Sequence, residues 1–200
     1  MPASSALSGK HSNFKSVSDM IIRKCKEEDI KSAGAFYDMI VEWLDLHINY
    51  PKWMYKVYPS EESVRLMVDE GSQYLCLADG KIVAAFVLNT DPQGNYKKGL
   101  WTRDLPEGSY LVLHTLAVDP ESRRKGLADE IIRFCTDKAK EGGYQAIRLD
   151  IVPGNIPAEH LYKKNGFSCV GDVDLDRGYE EIPIFQLYEK NIYCPGLLFL

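Results

Sequence analysis

The stretch Arg123-Arg124-Lys125-Gly126-Leu127-Ala128 combines residue types and spacing that suit anion binding. It stands between a strand-forming run, Tyr110–Val118, and a segment that sets Leu127, Ile131, Ile132, Cys135 and Ala139 on one side of a helix. A helix that starts here leaves its first backbone N–H groups without internal acceptors. Its dipole adds positive potential at the same point, so the turn suits a phosphate or diphosphate. Gly126 has no Cβ to block backbone approach by a ligand. Ala128 keeps the first turn narrow, and Arg123, Arg124 and Lys125 add three cationic side chains. G-x-x-x-x-G-K-[ST] and G-x-G-x-x-G are both missing, which excludes a P-loop and a dinucleotide fingerprint. Without a ligand, the same residues would make a solvated basic helix start.

The elements that must position this turn can be read from periodicity. Residues 20–25 form a first strand. Glu27, Glu28 and Asp29 favour a helix start, and Ile30, Ala33, Phe36, Tyr37, Ile40, Val41 and Leu44 follow at helical spacing as far as Pro51. Ser60 is placed to cap a second helix, with Ser63 where a capping box usually has Glu. Val64, Met67 and Val68 form its inner face. Residues 74–78 and 81–89 form a hairpin across Asp79-Gly80. Residues 90–108 are a long loop, and Tyr110–Val118 is a buried central strand. A helix then runs to about Lys140, stopped at Gly142-Gly143, and is followed by a strand over 144–152. Asn155 caps a short helix through Asn165. Two strands over 167–173 and 181–189 close the chain. The order β-α-α-β-β-β-α-β-α-β-β predicts an α/β (α+β mixed) fold, with a largely antiparallel sheet of about seven strands and helices on both faces.

Residues 1–18 are serine-rich, lack acidic residues and show no apolar period, so they read as a leader or tag-like segment. One domain is expected over 20–190, with an apolar tail at 191–200. Lys and Arg number 24 against 29 Asp and Glu, a net charge of −5, which argues against a general nucleic-acid binder. No apolar run approaches the roughly 20 residues needed to span a bilayer, so no membrane partner is expected. Cys25, Cys76, Cys135, Cys169 and Cys194 are scattered singly, as suits reduced thiols in the cytoplasm. Cys135 and Cys169 are read as packing residues. The four histidines show no ligand spacing, and no metal is expected.

The basic turn after Leu116-Ala117-Val118 resembles the signature of the GCN5-related N-acetyltransferase (GNAT) superfamily, [Q/R]-x-x-G-x-[G/A] after a strand. The later run, Asn155 through Leu161-Tyr162 to Asn165-Gly166-Phe167, is similar to the second family motif. Arg124 departs from the pattern, since many relatives have glycine there. The resemblance spans about residues 20–190 and implies acetyl-CoA as cosubstrate. It implies that the amides of Arg123, Arg124, Lys125, Gly126, Leu127 and Ala128 bind the diphosphate. The backbone of Leu116, Ala117 and Val118 would hold the pantetheine arm where two parallel strands splay. Asn155 would cap its helix and touch the same arm.

Tyr162 matches the family's general acid. Its ordinary pKa of about 10 keeps it protonated at neutral pH; the structural alternative is a core aromatic. His114, in Leu113-His114-Thr115-Leu116-Ala117-Val118, looks like the corresponding strand of arylalkylamine acetyltransferases and would accept the amine proton. The alternative is a satisfied buried histidine. Asp150 is a second candidate for base or amine anchor. Trp53 and Trp101 stand among loop aromatics that suit an acceptor pocket or, instead, a sheet cap or a homodimer contact. The activity implied is N-acetylation of a small-molecule amine or a peptide N-terminus. The alternatives are a non-catalytic acyl-CoA sensor on the same fold and a phosphate binder unrelated to coenzyme A.

Overall fold

The computed structural model describes residues 20–192. The leader expected at 1–18 and the tail beyond Ile192, with Cys194, lie outside the described residues. The elements are β1 (Ile21–Lys24), α1 (Ile30–Asp45), α2 (Glu61–Asp69), β2 (Gln73–Ala78), β3 (Lys81–Asn89), β4 (Tyr110–Val118), α3 (Leu127–Glu141), β5 (Ala146–Ile151), α4 (Ile156–Lys164), β6 (Ser168–Val173) and β7 (Phe185–Asn191). Their order is the one the periodicity predicts. They form one seven-stranded sheet, β1-β2-β3-β4-β5-β7-β6. β4 and β5 are parallel, joined through α3, and every other neighbouring pair is antiparallel.

Alternation along the strands sorts the core between two faces. Leu75, Ala85 and Ala117 pack under α1 with Ala33, Tyr37 and Ile40. Cys76, Ala84, Phe86, Leu111 and Leu113 pack under α3 with Leu127, Ile131 and Ile132. A third cluster, with Tyr110, Val112 and Leu187, lies beneath the β3–β4 loop. Local chemistry fixes the joints. Asp79 and Gly80 both adopt positive φ, as a tight hairpin requires. Ser63 replaces the usual glutamate of the capping box by accepting the Ser60 N–H at 2.8 Å.

Two expectations are corrected. The last strand begins at Phe185 rather than 181 and runs to Asn191, so Ile192 is buried in the core instead of belonging to a tail. Pro183, with no N–H to give a ladder, precedes its start. Cys169 is exposed rather than packed, because β6 is an edge strand and this position faces outward. Cys25, Cys76 and Cys135 are buried free thiols.

The long β3–β4 loop is fastened by a buried ion pair that the sequence pattern does not single out. Arg148 and Glu189 are each 2% exposed. Arg148 Nε donates to Glu189 Oε1 at 3.0 Å, and its Nη2 donates to the Arg103 carbonyl at 2.9 Å. The other carboxylate oxygen accepts the Thr102 N–H at 3.0 Å and the Thr102 hydroxyl. The guanidinium lies over the rings of Trp101 and Tyr110, 4.1 and 4.2 Å from their centroids. Removing one member leaves the other charge desolvated without its partner. Glu189→Gln is therefore expected to destabilise the fold by about 3–5 kcal/mol in chemical denaturation. Replacing both residues with apolar ones of similar volume should restore much of that loss.

Candidate active site

The site is built around a broken ladder. β4 and β5 pair only at Tyr110↔Ala146, Leu111↔Ile147 and Val112↔Arg148. Beyond Val112 the two strands part, so Leu113–Val118 has no strand partner on the β5 side. On the other side, β3 and β4 are mismatched. Ala85 faces Ala117 and Val87 faces His114, so Phe86 opposes both Thr115 and Leu116. That two-against-one bulge puts Thr115 at φ +46°, a region seldom occupied by a β-branched residue.

A buried polar network holds the bulge. The Tyr37 hydroxyl donates to the Thr115 carbonyl at 3.1 Å, and Gln73 Nε2 donates to the Phe86 carbonyl at 3.0 Å and the Tyr37 oxygen at 3.3 Å. Burial pushes the Tyr37 phenol up to about 12, so it stays a donor. The sequence pattern puts Tyr37 on the apolar face of α1 and gives Gln73 no part in a site. The available signal was an amide opening an otherwise apolar strand. Thr115 Oγ1 is buried and makes no hydrogen bond among the described residues, which leaves a polar atom unanswered where β4 loses its neighbour.

β4 leads straight into the basic turn. Asp119 accepts the Glu121 N–H at 3.0 Å and the Ser122 hydroxyl at 3.1 Å, closing a 3-10 turn over Pro120–Ser122. Arg124 and Gly126 then adopt φ +62° and +79°. Alternation of this kind curls backbone amides toward a common centre, the geometry of an anion nest. The amides of Arg124, Gly126, Leu127 and Ala128 have no acceptor among the described residues. The Arg123 guanidinium is engaged with α1, 4.1 Å from the Trp43 ring, on which His47 stacks at 3.8 Å. Its backbone remains in the turn. The open strand edge, the orphan hydroxyl and the amide nest fit a long ligand carrying a diphosphate at one end.

Asn155 caps α4, its Oδ1 accepting the Ala158 N–H at 3.4 Å, while its amide nitrogen makes no hydrogen bond among the described residues. Tyr162, on α4, is buried at 6% exposure against Phe167 and Tyr188, with ring centroids 5.4 and 6.2 Å away. Its hydroxyl has no hydrogen-bond partner among the described residues. Burial, and secondarily the nearby Cys135 and Asp150, raise its pKa well above the ordinary phenol value, so it carries its proton at any working pH.

His114 is partly buried on β4, with Nε2 2.9 Å from the Asp91 carbonyl. A carbonyl only accepts, so Nε2 bears the proton and Nδ1 presents the lone pair. Burial lowers the imidazole pKa below 6.5, although the Asp150 charge pulls the other way, so the ring is neutral at pH 7. Asp150 is engaged elsewhere. It binds the Arg177 guanidinium through both oxygens, at 2.7 and 2.8 Å, and accepts the Tyr96 hydroxyl at 2.8 Å. In the sequence Arg177 is one basic residue in an acidic loop, with no pattern to mark it.

The two tryptophans occupy different places. Trp53 is partly buried against Tyr37, centroids 6.2 Å apart, one ring from the bulge. Trp101 lies over Arg148, at the paired end of β4 and β5, and its Nε1 donates to the Tyr96 carbonyl at 2.5 Å. Among the described residues no cluster of His, Cys, Asp or Glu could hold a metal, and no helix is long and apolar enough to cross a membrane.

A family model described as "Acetyltransferase (GNAT) family" matches residues 38–167. "GCN5-related N-acetyltransferase 6, chloroplastic" of Arabidopsis thaliana is 31% identical over 83 residues, which are 40% of this chain and 29% of that protein. Streptothricin acetyltransferase of Streptomyces lavendulae is 31% identical over 86 residues, 42% of this chain and 45% of that protein. The chain thus matches less than half the length of either relative. The crystal structure of a GNAT-family acetyltransferase from Streptococcus agalactiae superposes with a TM-score of 0.72 at 19% identity, covering 88% of this chain and 96% of that one. That last likeness is one of fold.

The left-handed backbone at position 124 makes a direct test of the turn. Arg124→Gly removes a conformational penalty of about 1–2 kcal/mol and incurs about 0.5–1 kcal/mol of glycine entropy. A small net gain in stability is expected in denaturant melts. Arg124→Val, β-branched at the same φ, should lose stability.

Proposed function

The chain belongs to the acetyltransferase (GNAT) family, and on that premise we propose that it is an acetyl-CoA-dependent N-acetyltransferase acting through direct attack by a primary amine. The observation that carries the reading is the parting of β4 and β5 after Val112, upstream of a turn in which the amides of Arg124, Gly126, Leu127 and Ala128 have no acceptor among the described residues. Bound acetyl-CoA supplies an acetyl thioester. The chain's own residues do the rest. Within the turn from Arg123 to Ala128, the Arg123 N–H is given to the Pro120 carbonyl at 3.4 Å, and the open amides of Arg124, Gly126, Leu127 and Ala128 would hold the diphosphate. The exposed edge around Leu116–Val118 would hold the pantetheine arm, with Asn155 beside it. A backbone N–H near Leu116 polarises the acetyl carbonyl, a preorganised dipole in a water-poor site.

Amines attack only when neutral, so a proton must leave the nitrogen. His114 Nδ1 receives it, directly or through a water. The sulfur leaves more readily as a thiol, and Tyr162 would give it the proton from a hydroxyl that no other described residue engages. The acceptor is a small amine or a peptide N-terminus, entering between the α1–α2 segment with Trp53 and the β3–β4 loop, whose Trp101 packs on Arg148 and supports the loop rather than facing the parted strands. Asp150 lines this side through its partners Tyr96 and Arg177. The reaction takes place in the cytoplasm, where acetyl-CoA and reduced thiols coexist.

The deciding assay detects free coenzyme A released in the presence of a panel of amines and N-terminal peptides. Coenzyme binding without turnover on any of them would favour the sensor reading. Two substitutions divide the site. Gly126→Val should abolish the rise in melting temperature produced by acetyl-CoA, because its side chain obstructs the amide nest. Coenzyme binding as tight as the parent's would remove the turn from the site. Tyr162→Phe should lower kcat by about 10²–10⁴-fold while leaving coenzyme affinity intact. Unchanged kcat with chemistry limiting would make Tyr162 a packing residue.

A further inference from the structure

Three consecutive backbone carbonyls of the β3–β4 loop are each held by a side chain from another element. His114 Nε2 donates to Asp91 O at 2.9 Å. Arg177 Nη2 donates to Pro92 O at 3.0 Å, and its Nε donates to Gln93 O at 2.7 Å. The segment from Thr90 to Asn95 belongs to no strand or helix, and Gln93 sits at φ +50°. Near its start the local bonds are short-range: Asn89 Oδ1 accepts the Asp91 N–H and Asp91 Oδ1 accepts the Gln93 N–H, at 3.1 and 2.8 Å. At its end Asn95 Nδ2 donates to Asp176 Oδ2 and the Asn95 backbone N–H to Leu175 O, both at 2.9 Å, which leaves the carbonyls of Asp91, Pro92 and Gln93 to His114 and Arg177. Arg177 is in turn fixed on the sheet by both oxygens of Asp150, with Phe185 beneath its guanidinium at 4.6 Å. A planar fork of five donors can bind both oxygens of a carboxylate and two carbonyls at once, four bonds where a lysine has three donors on a single atom.

We infer that the Asp150–Arg177 pair is a positioning device for His114: it fixes the loop carbonyl that holds the Nε2 proton, and so leaves Nδ1 as the basic atom toward the acceptor. The inference rests on the reading of His114 as general base. It gives Asp150 a different part from that of base or amine anchor. Its carboxylate receives three hydrogen bonds, two from Arg177 and one from Tyr96, and acts on the amine only through His114. The charged groups around His114 are Asp91 from the β3–β4 loop, Asp150 from β5 and Arg177 from the β6–β7 loop. The phenols of Tyr58 and Tyr179 lie near Arg177, and that of Tyr96 lies on Asp150.

Nitrogen NMR of the imidazole and the pH dependence of kcat/KM test this together, on the full chain with the best amine from the panel. The parent should show a single Nε2–H tautomer. Arg177→Gln and Asp150→Asn should each show mixed tautomers and lose about 10²-fold in kcat/KM, the cost expected of a misplaced catalytic group. Their acetyl-CoA affinity should not change. The acidic limb should move up in Arg177→Gln, where the Asp150 charge is left to favour imidazolium, and down in Asp150→Asn, where the Arg177 charge opposes it. Both variants keeping one tautomer and the parent's limb, with only the melting temperature lowered, would overturn the inference. Arg177→Lys retains the charge and guards against a folding failure. It should give mixed tautomers with the limb near its parent position, and a single Nε2–H tautomer in this variant would overturn the inference as well. His114→Gln separates the two readings. If the acidic limb survives in that variant, His114 is not the base, whereas the tautomer spectra still report whether the pair orients the ring.

Discussion

Neighbouring strands cannot part inside a core without leaving backbone donors and acceptors unanswered. β4 and β5 do part, after three residue pairs, and the site is organised around that break. The cost is contained by a mismatch on the opposite side. Phe86 faces two residues of β4, which turns Thr115 into a left-handed conformation and bends the strand away from β5. Such a backbone persists only when its surroundings determine it. Tyr37 on the Thr115 carbonyl and Gln73 on the Phe86 carbonyl supply that restraint from within the core under α1.

Where β4 ends, the same logic continues at smaller scale. Asp119 closes a 3-10 turn, Arg124 and Gly126 reverse the sign of φ, and α3 begins with amides that have no acceptor among the described residues. An open strand edge and an amide nest thus follow one another along a dozen residues. The Arg123 guanidinium over Trp43 ties the turn to α1, whose Tyr37 supports the bulge. The segment that would hold the coenzyme and the helix that shapes the open edge are one mechanical unit.

Much of this was legible in the sequence, because it depends on local signals. Glycine and proline positions, helical spacing in α1 and α3, and the Asp79-Gly80 turn all act within a few residues. The order of elements and the placement of Arg123–Ala128 follow from them. Tyr162 falls on α4 and Asn155 caps it, where the motif resemblance puts them. The bulge at Thr115, by contrast, is a property of two strands in register, and nothing in Leu113–Val118 alone announces it. Arg148, Glu189 and Arg177 were equally silent. A charged residue in a strand or an acidic loop looks solvated until tertiary contacts bury it, and these contacts span from 27 residues, for Asp150 with Arg177, to 41, for Arg148 with Glu189.

The two hidden ion pairs divide one structural task. A long loop must cross the sheet face without a ladder of its own. Arg148 and Glu189 secure its second half through Thr102 and Arg103, deep in the core, where each charge answers the other and both carboxylate oxygens accept hydrogen bonds. Asp150 and Arg177 secure its first half through Pro92 and Gln93, nearer the open end of the sheet. Sequence alone offers Asp150 and His114 as rival bases. The geometry separates them by what each has left to give. Asp150 accepts both arms of a guanidinium and a phenol, whereas His114 has committed only its donor nitrogen to Asp91 and retains a lone pair. A carboxylate so occupied is suited to holding a loop, and an imidazole so oriented is suited to taking a proton.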